Sequence, residues 1–172
     1  VSFEDPLRNN AQFMYQLLKY DETREVVDIK AVTVDEMRDY VKKRMTVNGY
    51  HVMMDEVNPS TWTYQSLVNR VIELEAEGYC IEVLAVDYLS KLPTTGCVQG
   101  SIGDDLLDMV SRIRAFCLAH SILFISPHQL STEAKRKLET VSADQFLHTI
   151  KGGGFFEKTK GLDRIYDIGL LL

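Results

Sequence analysis

The chain has 172 residues, 45% of them hydrophobic, with a formal net charge of −6, enough for one domain with its own core. Its longest apolar runs fall well short of the roughly 18 residues a membrane span requires. The acidic balance excludes a protein coated in basic surface for nucleic acid, although a local basic loop is still compatible with it, because affinity follows the phosphates contacted. Three cysteines, Cys80, Cys97 and Cys117, show no metal-type spacing. Reduced thiols in a cytoplasmic protein are the expectation.

The chain opens on "VSFED", which reads as the end of a buried strand. "PLRNNAQFMYQLLKY" then predicts a helix, with Pro6 at its start and Leu7, Ala11, Met14 and Leu18 on one face. "TVDEMRDYVKKRM" predicts a second helix, with Thr33 and Glu36 spaced as a capping box and Met37, Val41 and Met45 on one face. "YHVMM" reads as a short strand, and "NPSTWTYQSLVNRVIELEAEG" as turn residues followed by a helix on Leu67, Val71 and Leu74, closed by Gly78.

"CIEVLAVDYL" is a β-branched strand ending in Asp87, and "TTGCVQGS" a polar loop. "IGDDLLDMVSRIRAFCLAH" predicts a long helix packed through Ile102, Leu106, Met109, Ile113 and Phe116. Its early Asp104, Asp105 and Asp108 and later Arg112 and Arg114 complement the helix dipole. "SILFISPHQL" and "LDRIYDIGLLL" read as two more strands, and "STEAKRKLETVSADQ" as a linker carrying a solvated Lys135-Arg136-Lys137 cluster. Continuous apolar strands alternating with helices predict an α/β domain of three layers, a mainly parallel sheet flanked by helices. Both chain ends look cut through the sheet, so a piece of a longer chain is expected.

In such sheets ligands bind beyond the carboxyl ends of the strands. Glu4 and Asp5, Asp87, and His128 with Gln129 occupy three such ends. An apolar strand ending in Asp is the form whose carboxylate holds Mg²⁺, usually through water. A second carboxylate on a neighbouring strand suits orientation of an attacking water, and a glutamine on a third suits sensing of a γ-phosphate. Taken singly, each has a plainer reading. Asp87 would be a turn residue, Glu4 a helix-start acid and Gln129 a partner for loop backbone, with His128 outside the chemistry.

"KGGGFFEKTKG", from Lys151 to Gly161, looks like a phosphate-binding loop but departs from G-x-x-x-x-G-K-[ST], because Glu157 stands where the second glycine belongs. A carboxylate there opposes phosphate, and its Cβ crowds the backbone that must wrap it. The P-loop reading is rejected for this segment.

The order "VSFED", "AVDYL", "DLLDMVSRIRAFCLAH" and "ISPHQL" resembles the RecA-like motor of DnaB-type hexameric replicative helicases, phage-type ones among them, over essentially the whole chain. The resemblance implies a RecA-like fold and an ATP-hydrolysing DNA helicase, in a bacterial or phage-infected cytoplasm. It places Glu4 at the catalytic glutamate of an "S-L-E-M"-like motif, Asp87 at the Mg²⁺-binding aspartate, and Gln129 at the sensor of a "S-Q-L" strand, with His128 replacing the small polar residue. "TIKGGGFFEKTKG" falls at the family's DNA-binding loop "L-R-x-S-G-x-I-E". Lys151 takes the arginine position, Gly154 the glycine and Glu157 the glutamate, and Gly152, Gly153 and Lys158 join the DNA-binding set.

From Lys151 to Arg164 four cationic side chains face two acidic ones, an excess of two positive charges. Glycines let backbone N–H groups approach phosphates, and lysine adds a point charge without arginine's bidentate fork. Phe155 and Phe156 have two readings, stacking on bases or anchoring the loop to the core. The resemblance implies ATP and Mg²⁺ as ligands, single-stranded DNA as partner, and a homo-oligomeric ring, with no membrane. It also implies a P-loop before Val1 and an arginine finger beyond Leu172, so the 172 residues alone are expected to be a poor ATPase. A RecA- or KaiC-like recombinase-type ATPase and a non-catalytic RecA-fold partner-binding module are the alternatives.

Overall fold

In a computed structural model of the chain, the structure describes residues 1–2, 7–101, 103–142, 145–146, 148, 162, 165 and 167–168. The chain divides into two compact units, Val1–Val57 and Asn58–Leu172.

The first unit is built on two helices, α1 (Leu7–Thr23) and α2 (Val34–Met45). The capping box forms as the sequence predicts: the Glu36 N–H donates to Thr33 Oγ1 at 3.3 Å, and the Thr33 N–H donates to Glu36 Oε2 at 2.8 Å. Met37 and Val41 are buried with Tyr15, and Met14 and Leu18 pack on that cluster. The α1 face therefore centres on Tyr15 as well as on the predicted Met14 and Leu18. Tyr15 meets Tyr40 edge-on, with ring centroids 5.2 Å apart, a geometry that adds to simple area burial. The Tyr40 hydroxyl donates to Glu22 and Lys19 lies over the Tyr40 ring, so one aromatic side chain links the two helices.

The strand expected over "YHVMM" is not formed. Residues 50–55 run without strand pairing, and the parallel bridge falls just beyond, between Ser2 and Glu56. There the Ser2 N–H donates to Asp55 O at 2.9 Å and the Val57 N–H to Ser2 O at 3.2 Å. The opening residues thus pair in parallel as a strand end would, against a partner displaced from the apolar run.

The second unit carries α3 (Tyr64–Ala76), β1 (Val83–Ala85), α4 (Asp104–Ala119), β2 (Leu123–Ile125) and α5 (Thr132–Leu138). Thr63 and Ser66 form a capping box at the start of α3. Gly78, at φ +96°, makes the left-handed turn that ends it, a conformation that costs glycine little. Leu67, Val71 and Leu74 are buried, as their spacing predicts.

On α4 the buried residues are Leu106, Met109, Val110, Ile113 and Cys117. Phe116, expected in the core, is only half-buried and lies against the His120 ring, with centroids 4.1 Å apart. Cys117 takes its place because the buried face of a 3.6-residue helix drifts by one position over this length. Met109 and Ile113 have no accessible surface, and each such burial is worth roughly 1.5–3 kcal/mol.

β1 and β2 pair in parallel, with Val83, Leu84 and Ala85 opposite Leu123, Phe124 and Ile125. α4 lies between them in the chain, so the three make a βαβ unit. The described residues thus give the expected mixed α/β class with a parallel sheet, of which two strands are formed among them. Both strands are shorter than their apolar runs. Among the described residues they are also not covered on both faces, for Val83 is 51%, Leu123 60% and Ile125 48% exposed.

One further expectation changes, and another falls mostly outside the described residues. "STEAKRKLETVSADQ" is no linker throughout, since Ser131 caps α5 through the Ala134 N–H, and Ala134 is buried with Phe146. In the segment read as the last strand, Leu162, Ile165, Asp167 and Ile168 are the described residues and none is in a strand. Leu162 is buried, and Asp167 pairs with Arg114 of α4 at 2.7 Å. No described helix is long and apolar enough to cross a membrane.

Candidate functional site at the strand ends

The ladder between β1 and β2 continues one residue past each strand. Val86, fully buried, donates its N–H to Ile125 O at 2.9 Å, and the Ser126 hydroxyl donates to Val86 O at 3.1 Å. These two bonds carry the chains together to the carboxyl end of the pair, where Asp87 leaves β1 and His128 and Gln129 leave β2. Asp87 is half-buried, with its Oδ1 sealed from solvent, and its peptide bond to Tyr88 is cis. A short 3-10 turn, Leu89–Lys91, then directs the chain away, pinned by the fully buried Leu89.

Beyond Ser126 the chain stays extended in its burial pattern. Pro127 and Gln129 are exposed, whereas Ser126, His128 and Leu130 are half-buried. Gln129 is therefore presented outward. His128 is turned inward, and burial pushes its imidazole down to about 4, so the ring is neutral near pH 7.

The loop after Asp87 is held by the start of α4. The Thr94 hydroxyl donates to Asp105 Oδ2 at 2.6 Å, the Val98 N–H to Asp108 Oδ2 at 2.9 Å, and the Ser101 N–H to Asp104 Oδ2 at 2.6 Å. The Thr94 hydroxyl, followed by the Leu106 N–H, holds the Asp105 carboxyl below the usual carboxylate range. Asp108 also pairs with Arg112 at 2.8 Å, and Arg112 reaches the Tyr64 hydroxyl at 3.2 Å. A side chain at Gly100 would place its Cβ 2.5 Å from Asp104 Oδ2, so the carboxylate would have to shift from its present position. An open cavity of about 510 Å³ results, lined among others by Ser90, Thr94, Gln99 and Asp105.

These aspartates were legible only as helix-dipole partners. The spacing of Ser101 and Asp104, three apart ahead of an apolar run, is the signal that marks one of the three latches.

Of the sequence-predicted site residues, the structure brings Asp87 and Gln129 to one end of one strand pair. Glu4 lies outside the described residues, as do Lys151, Gly152, Gly153, Gly154 and Lys158. The described residues contain no group of three or more His, Cys, Asp or Glu side chains arranged for a metal ion. A single carboxylate at a strand end is nonetheless a fitting ligand for Mg²⁺, which keeps several waters and shares its remaining positions with substrate phosphates.

The sequence matches the family model of the divergent DnaB-like ATPases over residues 1–172. The chain belongs to that family. No curated protein matches it. The shared end of β1 and β2 lies within the matched residues, and the aspartate-latched loop directly follows it in the chain.

Proposed function

We propose that this DnaB-like chain is the motor core of an ATP-driven DNA helicase, coupling hydrolysis to translocation along single-stranded DNA. One observation supports the reading most: Asp87 and Gln129 leave the same end of a parallel strand pair, in a chain that is DnaB-like along its whole length.

Asp87, anchored by the buried Val86 and Leu89, is the residue that would hold a hydrated Mg²⁺ through its carboxylate. That ion would supply neutralisation of charge on the phosphates of ATP. Glu4 orients the attacking water and accepts its proton. Gln129, facing outward from β2, donates its amide N–H groups to the γ-phosphate and registers its loss. With little covalent work for the protein, positioning and electrostatics carry the acceleration. Lys151 and Lys158 place point charges on DNA phosphates while Gly152, Gly153 and Gly154 bring backbone N–H groups close, and the chains assemble into a ring, with a hexamer as the expected size and ATP between subunits.

The test is ATP hydrolysis by the longest natural chain that contains these residues, with and without single-stranded DNA, beside its Glu4→Gln variant. DNA-stimulated turnover, lowered roughly 10²–10⁴-fold in the variant with nucleotide binding retained, is the expected result. No turnover in either protein, with or without DNA, would leave a partner-binding module instead.

A further inference from the structure

The segment 126–130 carries the outward-facing Gln129, and three inward side chains alternate with its exposed positions. The first, Ser126, is tied to β1 through its bond to Val86 O at 3.1 Å. The last, Leu130, packs on the buried pair of Ala134, in α5, and Phe146, which lies beyond that helix. His128 is the middle one, half-buried between two anchored neighbours. Period-two alternation means that whatever fixes position 128 on the inner side fixes position 129 on the outer side.

We propose that His128 is a positioning residue for the strand-end site, the middle of three inward contacts that hold the 126–130 segment extended and so aim Gln129 outward at the end of the sheet where Asp87 lies. This rests on the proposed function for its consequence in catalysis, but the geometry it invokes exists without nucleotide. Two residues of extended chain span at most about 7 Å, so His128 lies within that reach of the Ser126 anchor. With Ser126 and Leu130 held, release of the middle contact lets the segment rotate about its ends and turns the Gln129 amide away from the site.

An imidazole suits the role better than an aliphatic side chain. It fills the space of a medium-sized core residue, and in its neutral form it keeps one donor and one acceptor. Burial that depresses its protonation agrees with a ring seated inward. The role differs from that of Gln129: His128 acts through the backbone of its neighbour, and no contact with ATP is assigned to it.

The experiment compares wild type with His128→Ala and His128→Asn by two readouts. The first is backbone hydrogen exchange of residues 126–130 in the chain without nucleotide. Exchange at 128–130 is expected to rise about tenfold or more in His128→Ala and to return towards wild type in His128→Asn, with exchange in α3 unchanged. The second is steady-state ATP hydrolysis by the longest natural chain. There His128→Ala is expected to lower kcat by roughly tenfold to a hundredfold, the scale of a misplaced group, with KM for ATP moved less than about twofold.

Unchanged exchange in a folded His128→Ala protein overturns the inference, and so does unchanged kcat in a chain whose wild type turns over ATP. Raised exchange in a protein family member that hydrolyses no ATP keeps the positioning role and removes the proposed function instead. Should His128→Ala fail to fold, His128→Leu, which keeps the volume but no polar atom, decides by the same two readouts: wild-type exchange and kcat overturn the imidazole's role.

Discussion

The Thr94–Asp105 latch can be isolated by a double-mutant cycle of Thr94→Val and Asp105→Asn. The contact is 2.6 Å long and partly buried, joining a hydroxyl to a carboxylate. Hydrogen bonds to charged groups are worth about 1.5–3 kcal/mol when well buried, and solvent access lowers that here, as it does for exposed charge pairs. A coupling energy of about 1 kcal/mol at pH 7 is expected. For an m-value near 2 kcal/mol per M urea, each single variant should shift the unfolding midpoint by about 0.5 M. The only tryptophan, Trp62, lies in the same unit as the latch, so its fluorescence follows the relevant transition even if the two units unfold separately.

The sign of the pH dependence follows from the lowered carboxyl value, caused first by the Thr94 hydroxyl and then by the Leu106 N–H. A carboxyl depressed in the folded state stabilises above its unfolded value and loses that contribution as pH falls through the folded one. The coupling should therefore be full at pH 7 and begin to fall below about pH 4. It should drop to about half once Asp105 is protonated and the bond becomes neutral. A coupling within about 0.3 kcal/mol of zero at pH 7, within the error of additive sites, or one unchanged at pH 3, would refute the reasoning.

Ile113→Ala removes a side chain with no accessible surface, and urea unfolding should show a loss of about 2–5 kcal/mol. Thr63→Ala deletes the side-chain cap of α3 and should cost about 1 kcal/mol in the same assay. Cys80 is exposed whereas Cys97 and Cys117 are buried, and burial pushes the Cys117 thiol up to about 11. Native thiol titration with an aromatic disulfide reagent should therefore show one fast and two slow groups, all three becoming fast in denaturant. Asp87→Ala should abolish the Mg²⁺ dependence of nucleotide binding in the longest natural chain, measured by fluorescent-nucleotide titration; binding that keeps its Mg²⁺ dependence would remove Asp87 from the site.

The helices were legible because their signals are local. Thr33 with Glu36 and the recurrence of Met37 and Val41 name both an end and a face within a few residues. Leu67, Val71 and Leu74 do the same for α3. The strands were less legible, since an apolar run fixes composition but not pairing. "CIEVLAVDYL" supplies only three residues of β1, because a ladder exists only where a second chain offers matching N–H and C=O groups, and here β2 offers three. "YHVMM" fails for the same reason: its apolar character is real, but the opening residue Ser2 pairs with Glu56 instead. α5 was missed because "STEAKRKLE" looks like solvated charge, and its one buried residue on the helix, Ala134, is too small to stand out in a pattern of large apolar side chains.

The same difference in reach separates the parts of the site. The positions of Asp87 and Gln129 at strand ends were legible because each closes an apolar run, and a strand end is marked by its own sequence. The latch on α4 was assigned to the helix dipole, which accounts for acids in the first turn but not for their partners. Asp105 and Asp108 reach back 11 and 10 residues to Thr94 and Val98, distances over which no sequence period operates. The two roles are additive in sign, since an anionic carboxylate near a helix N-terminus is favoured by the dipole and is also a stronger acceptor for the loop. The acids at the head of α4 thus stabilise their helix and order the loop that follows Asp87. A substitution that keeps the charge but lengthens the side chain by one methylene separates the two effects. Asp105→Glu would preserve the dipole term while misplacing the Thr94 contact, so an α4 of unchanged helicity with faster hydrogen exchange at residues 94–98 is the expected outcome, and an unchanged loop would return Asp105 to the dipole alone.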